Sequence, residues 1–228
     1  MSPARESNRP ALLFDLDGTL VDSVYQHVLA WNEALAAEGI DLSVWRIHRR
    51  IGMSGGLFLR ALNREIGTEI TPERAERLEK LHSENVLRRL DQIHPLPGAT
   101  ELVRTLTAIG VPWAIATSGR AESARPIIRL LGIPDGTVVV TRDDVAFAKP
   151  NPDLFLAAAG RLDVDPRHCF VVGDSVWDML AARRATALGI GLLSGGYGRE
   201  ELIAAGPYRV YNDPADLLEH LDELGIRP

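Results

Sequence analysis

Two aspartates stand two residues apart, Asp15 and Asp17, directly behind the apolar run Ala11-Leu12-Leu13-Phe14 and ahead of Gly18-Thr19. Strand side chains alternate with period two, so a strand ending this way presents both carboxylates to one side. Two acids held that close do not both ionise comfortably without a counter-charge. The pair calls for a divalent cation, or for a division of labour in which one acid keeps its proton. Both are ingredients of phosphoryl transfer.

Three further groups recur at the ends of apolar runs. Thr117-Ser118-Gly119 follows Val111–Ala116 and offers a hydroxyl with two amides free to donate, a phosphate nest near a helix start. Lys149-Pro150-Asn151-Pro152 comes a short loop after Thr137–Thr141. Gly173-Asp174-Ser175 closes His168–Gly173, with Asp178 four residues beyond Asp174, a spacing that places both acids on one helix face. Each motif alone is a weak signal. A lysine before prolines is commonly a solvated loop residue, and a threonine is commonly only a helix cap. Four motifs in order, each at the end of an apolar run, are not explained that way.

The elements that must position them alternate. Besides the runs named, Gly189–Leu193 and the weaker Tyr208–Tyr211 read as strands. Helices are predicted over Glu101–Ile109, Asp153–Gly160, Val176–Leu188 and Pro214–Leu224, most stopped by glycine. Strand alternating with helix implies α/β architecture, with ligands bound beyond the carboxyl ends of a parallel sheet. Residues from Ser23 to about His94 break the alternation with helical patterns alone: Ser23–Ala37, Ser54–Ile66, and a charged helix opened by Thr71-Pro72-Glu73 and running to about Asp91. They read as an insertion, giving core segments 1–22 and 97–228 around a helical block 23–96. Two short connections, near Asp22-Ser23 and Pro95–Gly98, make the block a natural lid.

Bulk properties narrow the partners. In 228 residues the net charge is −6, with 46% hydrophobic and 25% charged residues. That balance gives no electrostatic reason to expect nucleic acid or a membrane surface, despite the local cluster Arg46–Arg50. Cys169 stands alone in an apolar run, so no intramolecular disulfide forms and a buried thiol is expected. Met1–Pro10 lacks the apolar core of a secretory signal, and no apolar run approaches a membrane span. A reducing, cytoplasmic setting is the expectation.

With FDLDGTLVDS, TSG, KPNP and GDSVWD in place, the chain resembles the haloacid dehalogenase superfamily of phosphatases with a helical cap inserted after the first strand, and in particular phosphoglycolate phosphatases and β-phosphoglucomutases. The resemblance implies a Rossmann-like core with a helical-bundle cap, Mg2+ as cofactor, and a small-molecule phosphate ester as substrate, in a monomer or homodimer. It implies Asp15 as nucleophile, Asp17 as general acid and base, and Lys149 with the ion neutralising the transferring phosphoryl group. Asp15 and Asp174 are the expected carboxylate ligands, joined by the backbone carbonyl of Asp17. Asp178 is expected to orient a metal-bound water or Lys149. Thr117, Ser118, Gly119 and Lys149 are the expected phosphate contacts, and His27, Ser54, His82 and Arg120 are candidate substrate residues.

Asp17 argues for ester cleavage, because an alkoxide leaving group must be protonated and a dehalogenation needs no acid there. Phosphonate cleavage in this superfamily uses a lysine near the start of the cap, and Ser23–Leu35 contains none. Ser23–His27 and Trp31 resemble the mutases. However, those carry an arginine after the cap serine to grip a second phosphate, where this chain has Gly55. Arg49 or Arg50 is a substitute only from the preceding helix. The tail Gly195-Gly-Tyr-Gly198 with Glu200-Glu-Leu202 is similar to the phosphoglycolate phosphatases. The reading is therefore hydrolysis of a monoester such as phosphoglycolate or a sugar phosphate, with a phosphosugar mutase as the alternative. A non-enzymatic ligand-binding relative would be marked by a missing catalytic residue. A nicotinamide protein would need the G-x-G-x-x-G that is absent after the first strand. Thr186 lies where similar chains often carry glycine.

Overall fold

The computed structural model describes residues 10–66 and 70–227. Six short strands, β1 (Ala11–Phe14), β4 (Trp113–Ala116), β5 (Val138–Val140), β6 (Cys169–Gly173), β7 (Leu188–Leu192) and β8 (Arg209–Tyr211), form one parallel sheet in the order β5-β4-β1-β6-β7-β8. Each expected strand is present. The alternation within them separates two cores: Leu12, Phe14, Ile115 and Val172 face one helical layer, and Leu13, Ala114, Ala116 and Val171 the other. Near-continuous apolar strands are what a sheet covered on both faces requires. Cys169 is buried here, and burial pushes its thiol up to about 11.

Between β1 and α5 (Ala99–Ala108) lie four helices, α1 (Val24–Ala37), α2 (Val44–His48), α3 (Gly55–Ile66) and α4 (Pro72–Leu87). They share their own apolar cluster, with Val28, Trp31, Leu35, Ile47, Phe58, Leu62 and Leu78. The two short connections to the sheet contain a strand pair that the sequence did not indicate. Val21–Asp22 (β2) and His94–Pro95 (β3) pair antiparallel as a two-residue ribbon, too short to leave any periodicity. The charged helix also ends earlier than Asp91, with a 3-10 turn at Leu90–Gln92. No helix of the described residues is long and apolar enough to cross a membrane.

The remaining helices, α6 (Ala121–Arg129), α7 (Asp153–Arg161), α8 (Val176–Arg184), α9 (Arg199–Ala204) and α10 (Pro214–Glu219), follow the strands. Two boundaries differ from the sequence reading. Pro214–Leu224 divides into α10 and a 3-10 turn at Leu221–Leu224. Helix α8 stops at Arg184 instead of Leu188, because Thr186 adopts φ 61° and turns the chain. The Thr186 amide donates to the Arg183 carbonyl and that of Ala187 to Ala182, the paired bonds of a left-handed helix stop. Glycine adopts that conformation without strain, and a β-branched residue rarely does.

Candidate active site

The chain leaves β1 toward β4 and β5, then crosses back to β6, β7 and β8, so strand order reverses between β1 and β6. A crevice opens at such a switch point beyond the carboxyl ends of the strands. Asp15 follows β1 there, and Asp174 follows β6. Asp15, Asp174 and Asp178 are all buried, with ligand oxygens within 4.8 Å of one another. Lys149, fully buried, reaches them from the loop after β5: its Nζ bonds Asp15 Oδ1 and lies 2.9 Å from Asp178 Oδ1. It is thus no solvated loop lysine. Burial opposes its charge, but the two carboxylates outweigh that and raise its pKa.

One ammonium does not balance three carboxylates. Burial, with the neighbouring acids, pushes Asp15 up to about 7 and Asp174 well above the usual carboxylate range. A formal surplus of two negative charges among hard oxygen donors fits a divalent cation. The space around Asp174 is kept by glycines: a Cβ on Gly195 would fall 1.7 Å from Asp174 Oδ2, and one on Gly18 (φ 79°) 2.6 Å from it. Thr19 Oγ1 donates to Asp174 Oδ1 at 3.0 Å. Asp178 comes to the cluster by a different route from the shared helix face expected of it. Asp174 precedes the helix, Ser175 is its N-cap, and Asp178 Oδ2 accepts from the Ser175 amide (3.1 Å) and hydroxyl (2.5 Å). Its other oxygen, Oδ1, is in ion-pair range of Lys149 but is buried without a hydrogen-bond partner.

Asp17 lies beyond the end of β1, and strand alternation therefore does not orient it. Its side chain lines the same cavity as Asp15 but is absent from the carboxylate cluster. Of the three expected metal ligands it is the one whose carboxylate points elsewhere. Oδ1 accepts from Ser23 Oγ at 2.6 Å and pairs with His27 Nε2 at 3.0 Å. Burial alone would raise this acid, yet the His27 charge and these hydrogen bonds bring it below its usual value. Reciprocally, Asp17 overcomes burial and raises His27. His27 Nδ1 lies 3.1 Å from His82 Nε2, and His82 stacks on Trp31 at 4.2 Å between centroids. Burial and the His27 charge hold His82 well below the ordinary imidazole range. Both histidines line the cavity; His27 spends both ring nitrogens on Asp17 and His82, while His82 gives only Nε2 to His27.

Thr117, Ser118 and Gly119 also line the cavity. The Gly119 amide is not free as expected: it donates to Thr117 Oγ1 at 3.0 Å, a local turn that a threonine two residues back makes readily. Ser118 Oγ donates to the Gly52 carbonyl at 3.0 Å, tying this loop to the helical block. Ser54 corrects another expectation. It is buried, its carbonyl accepts from Leu57 and Phe58 at the start of α3, and its neighbours Met53, Gly55 and Gly56 line the cavity in its place. Arg120 does line the cavity, but its guanidinium is held by Glu79 of α4 and by Asp143. Arg49 and Arg50 do not replace the missing cap arginine. Arg50 pairs with Glu65, and Arg49 crosses to Glu201 of α9.

That crossing is one half of a clasp between the helical block and the sheet domain. Arg49 lies over the Tyr197 ring at 4.4 Å, Tyr197 Oη donates to the Arg49 carbonyl at 3.0 Å, and His48 Nε2 bonds the Gly195 carbonyl at 2.9 Å. The family model of haloacid dehalogenase-like hydrolases matches residues 10–186.

The chain belongs to the haloacid dehalogenase-like hydrolases.

Among curated relatives, hexitol phosphatase A of Escherichia coli is 33% identical over 76% of this chain and 78% of its own. Phosphoglycolate phosphatase of Rhodospirillum rubrum is 30% identical over 96% of each. The β-phosphoglucomutase of Bacillus subtilis is 32% identical over 81% of this chain and 84% of its own. A crystal structure described as a hydrolase from Pseudomonas syringae superposes with a TM-score of 0.92 at 55% identity, covering 94% of this chain and 99% of that one. The protein is thus a haloacid dehalogenase-family phosphatase or phosphomutase. Sequence reasoning passed over Thr19 and Gly195, although both lie in motifs it used, and over Glu79, which no motif marks.

Proposed function

We propose that this hydrolase cleaves a small phosphate monoester, such as a sugar phosphate or phosphoglycolate, with Mg2+ and through an aspartyl-phosphate on Asp15. One observation carries the reading: Asp15 and Asp17 face a single cavity, yet each is held by different partners, which separates their roles. Lys149 opposes the protonation that burial favours at Asp15 and occupies Oδ1, so Oδ2 attacks phosphorus while the bond to the leaving oxygen breaks. Asp17 and His27 carry one proton between them, and Asp17 delivers it to that oxygen. In the second step water attacks phosphorus as Asp17 accepts its proton, the Asp15 Oδ2–phosphorus bond breaks, and inorganic phosphate departs. Thr117 and Ser118 contact the phosphoryl oxygens. Asp15, Asp174 and the Asp17 backbone carbonyl would hold Mg2+, which supplies positive charge against those oxygens. Asp178 positions Lys149.

Residues 23–96 act as a cap that turns on the β2–β3 ribbon and shuts out bulk water during the first step. Hydrolysis is favoured over mutase chemistry because Gly55 supplies no guanidinium for a second phosphate. The test is phosphate release from a panel of phosphorylated metabolites by the wild type and by Asp15→Asn. The wild type is expected to turn over with Mg2+ while the folded variant does not. Mg2+-dependent release by Asp15→Asn would remove Asp15 from the nucleophile role. Accumulation of glucose 6-phosphate from β-glucose 1-phosphate would establish the mutase instead.

A further inference from the structure

Gly55 and Gly56 at the start of α3 and Glu79 of α4 line the same cavity as Asp15 and Asp17. A Cβ on Gly55 would lie 3.3 Å from Cγ and Oε1 of Glu79 and 3.3 Å from the Trp31 ring. One on Gly56 would lie 3.5 Å from the same Oε1. A side chain on Gly55 would crowd this carboxylate, which sits beside the start of α3. A helix start otherwise favours an anion from outside, and here the chain supplies its own. Arg120 donates to Glu79 Oε2 from Nε (3.2 Å) and from Nη2 (2.5 Å), and reaches Asp143 Oδ1 at 3.4 Å from Nη1. One guanidinium thus bridges two carboxylates, and the Glu79 carboxylate itself lines the cavity. The other two lining arginines bond outside this carboxylate pair. Arg50 bonds Glu65 and the Arg46 carbonyl, and Arg142 donates to the Val145 carbonyl at 2.6 Å on the wall beside Gly119.

We propose that Glu79 is a specificity-determining residue, selecting phosphate monoesters with a neutral, hydroxyl-bearing remote end and rejecting those that carry a second carboxylate or phosphate there. The inference rests on the phosphatase reading above and narrows it. A remote anion would meet the Glu79 carboxylate in a partly desolvated cavity, where like charges repel strongly. A polyol or sugar hydroxyl instead donates to Glu79 and accepts from Arg120, which stand side by side.

The test measures kcat/KM of the wild type with Mg2+ on sorbitol 6-phosphate, phosphoglycolate and glucose 1,6-bisphosphate, with p-nitrophenyl phosphate to report the chemistry itself. The expected wild-type preference for the hexitol phosphate over either doubly anionic ester is tenfold or more. In Glu79→Gln that ratio falls at least tenfold, and Glu79→Ala moves it the same way. A purely structural role would lower all substrates together and leave the ratio intact, which would overturn the assignment. A wild type that cleaves p-nitrophenyl phosphate but prefers phosphoglycolate overturns this inference alone. A wild type that cleaves none of the four overturns the phosphatase reading and the inference with it.

Discussion

Replacing Lys149 with methionine keeps the length of the side chain and removes only its charge. In the native cluster that ammonium is the one cation among three buried carboxylates, and it also lies 5.1 Å from the centroid of the Phe155 ring. Breaking a buried ion pair by deleting one partner costs about 3–5 kcal/mol. For a chain of this size each kcal/mol lowers Tm by roughly 2–4 °C, so Lys149→Met should melt some ~6–20 °C below the wild type in chelator at pH 8. The deficit has a pH sign. Asp15 is already raised in the fold, to about 7 from an ordinary 3.8, so the folded state holds its proton more tightly than the unfolded chain does. Such a group favours folding at low pH and costs stability as pH rises through that window. Loss of Lys149 raises Asp15 further, so the deficit should be largest at pH 8 and smaller at pH 5.5. Added Mg2+ restores positive charge and should recover part of it at pH 8. The assay is thermal unfolding of both proteins at the two pH values, with EDTA and with Mg2+. A variant that melts with the wild type at pH 8 in EDTA would refute the view that Lys149 neutralises the cluster.

Three more outcomes are expected. Asp17→Asn should lower kcat/KM on an alkyl phosphate by about 10²–10⁴, the span of general acid catalysis, and much less on p-nitrophenyl phosphate, whose leaving group needs little protonation; equal losses would count against the acid. Thr186→Gly should stabilise the protein by about 0.5–1 kcal/mol in urea unfolding, because it relieves a β-branched residue at φ 61° while increasing unfolded-chain entropy; an unchanged or lower midpoint would show the turn to be unstrained. Glu201→Gln breaks a partly exposed pair across the clasp, worth at most about 1 kcal/mol. A closed block then loses two- to fivefold in population, and kcat/KM at low salt should fall by about that factor, with no fall meaning that the pair does not hold the block.

Much of the site was legible because its chemistry lies at strand ends, where local pattern is strong. Asp15, Thr117 and Asp174 each follow an apolar run, and six such runs became one sheet. The misreadings share a cause as well. The α8 end, the β2–β3 ribbon and the place of Ser54 depend on one or two residues, below the length at which periodicity registers. Gly119 was misread because a threonine hydroxyl competes for its amide over two residues.

By itself the chain determined its alternating architecture, the helical interruption after the first strand, and the acids, lysine and small residues set at strand ends. These are encoded by spacing, and spacing acts locally. Tertiary structure alone decided the pairings. Lys149 meets Asp15 across 134 positions, Thr19 meets Asp174 across 155, and Asp17 turns to a histidine pair from two different helices instead of joining the carboxylates. Glu79 joins the cavity lining from α4, close beside the glycines that open α3. Such contacts follow from how strands and helices are stacked, since burial brings charges together wherever packing leaves them a partner.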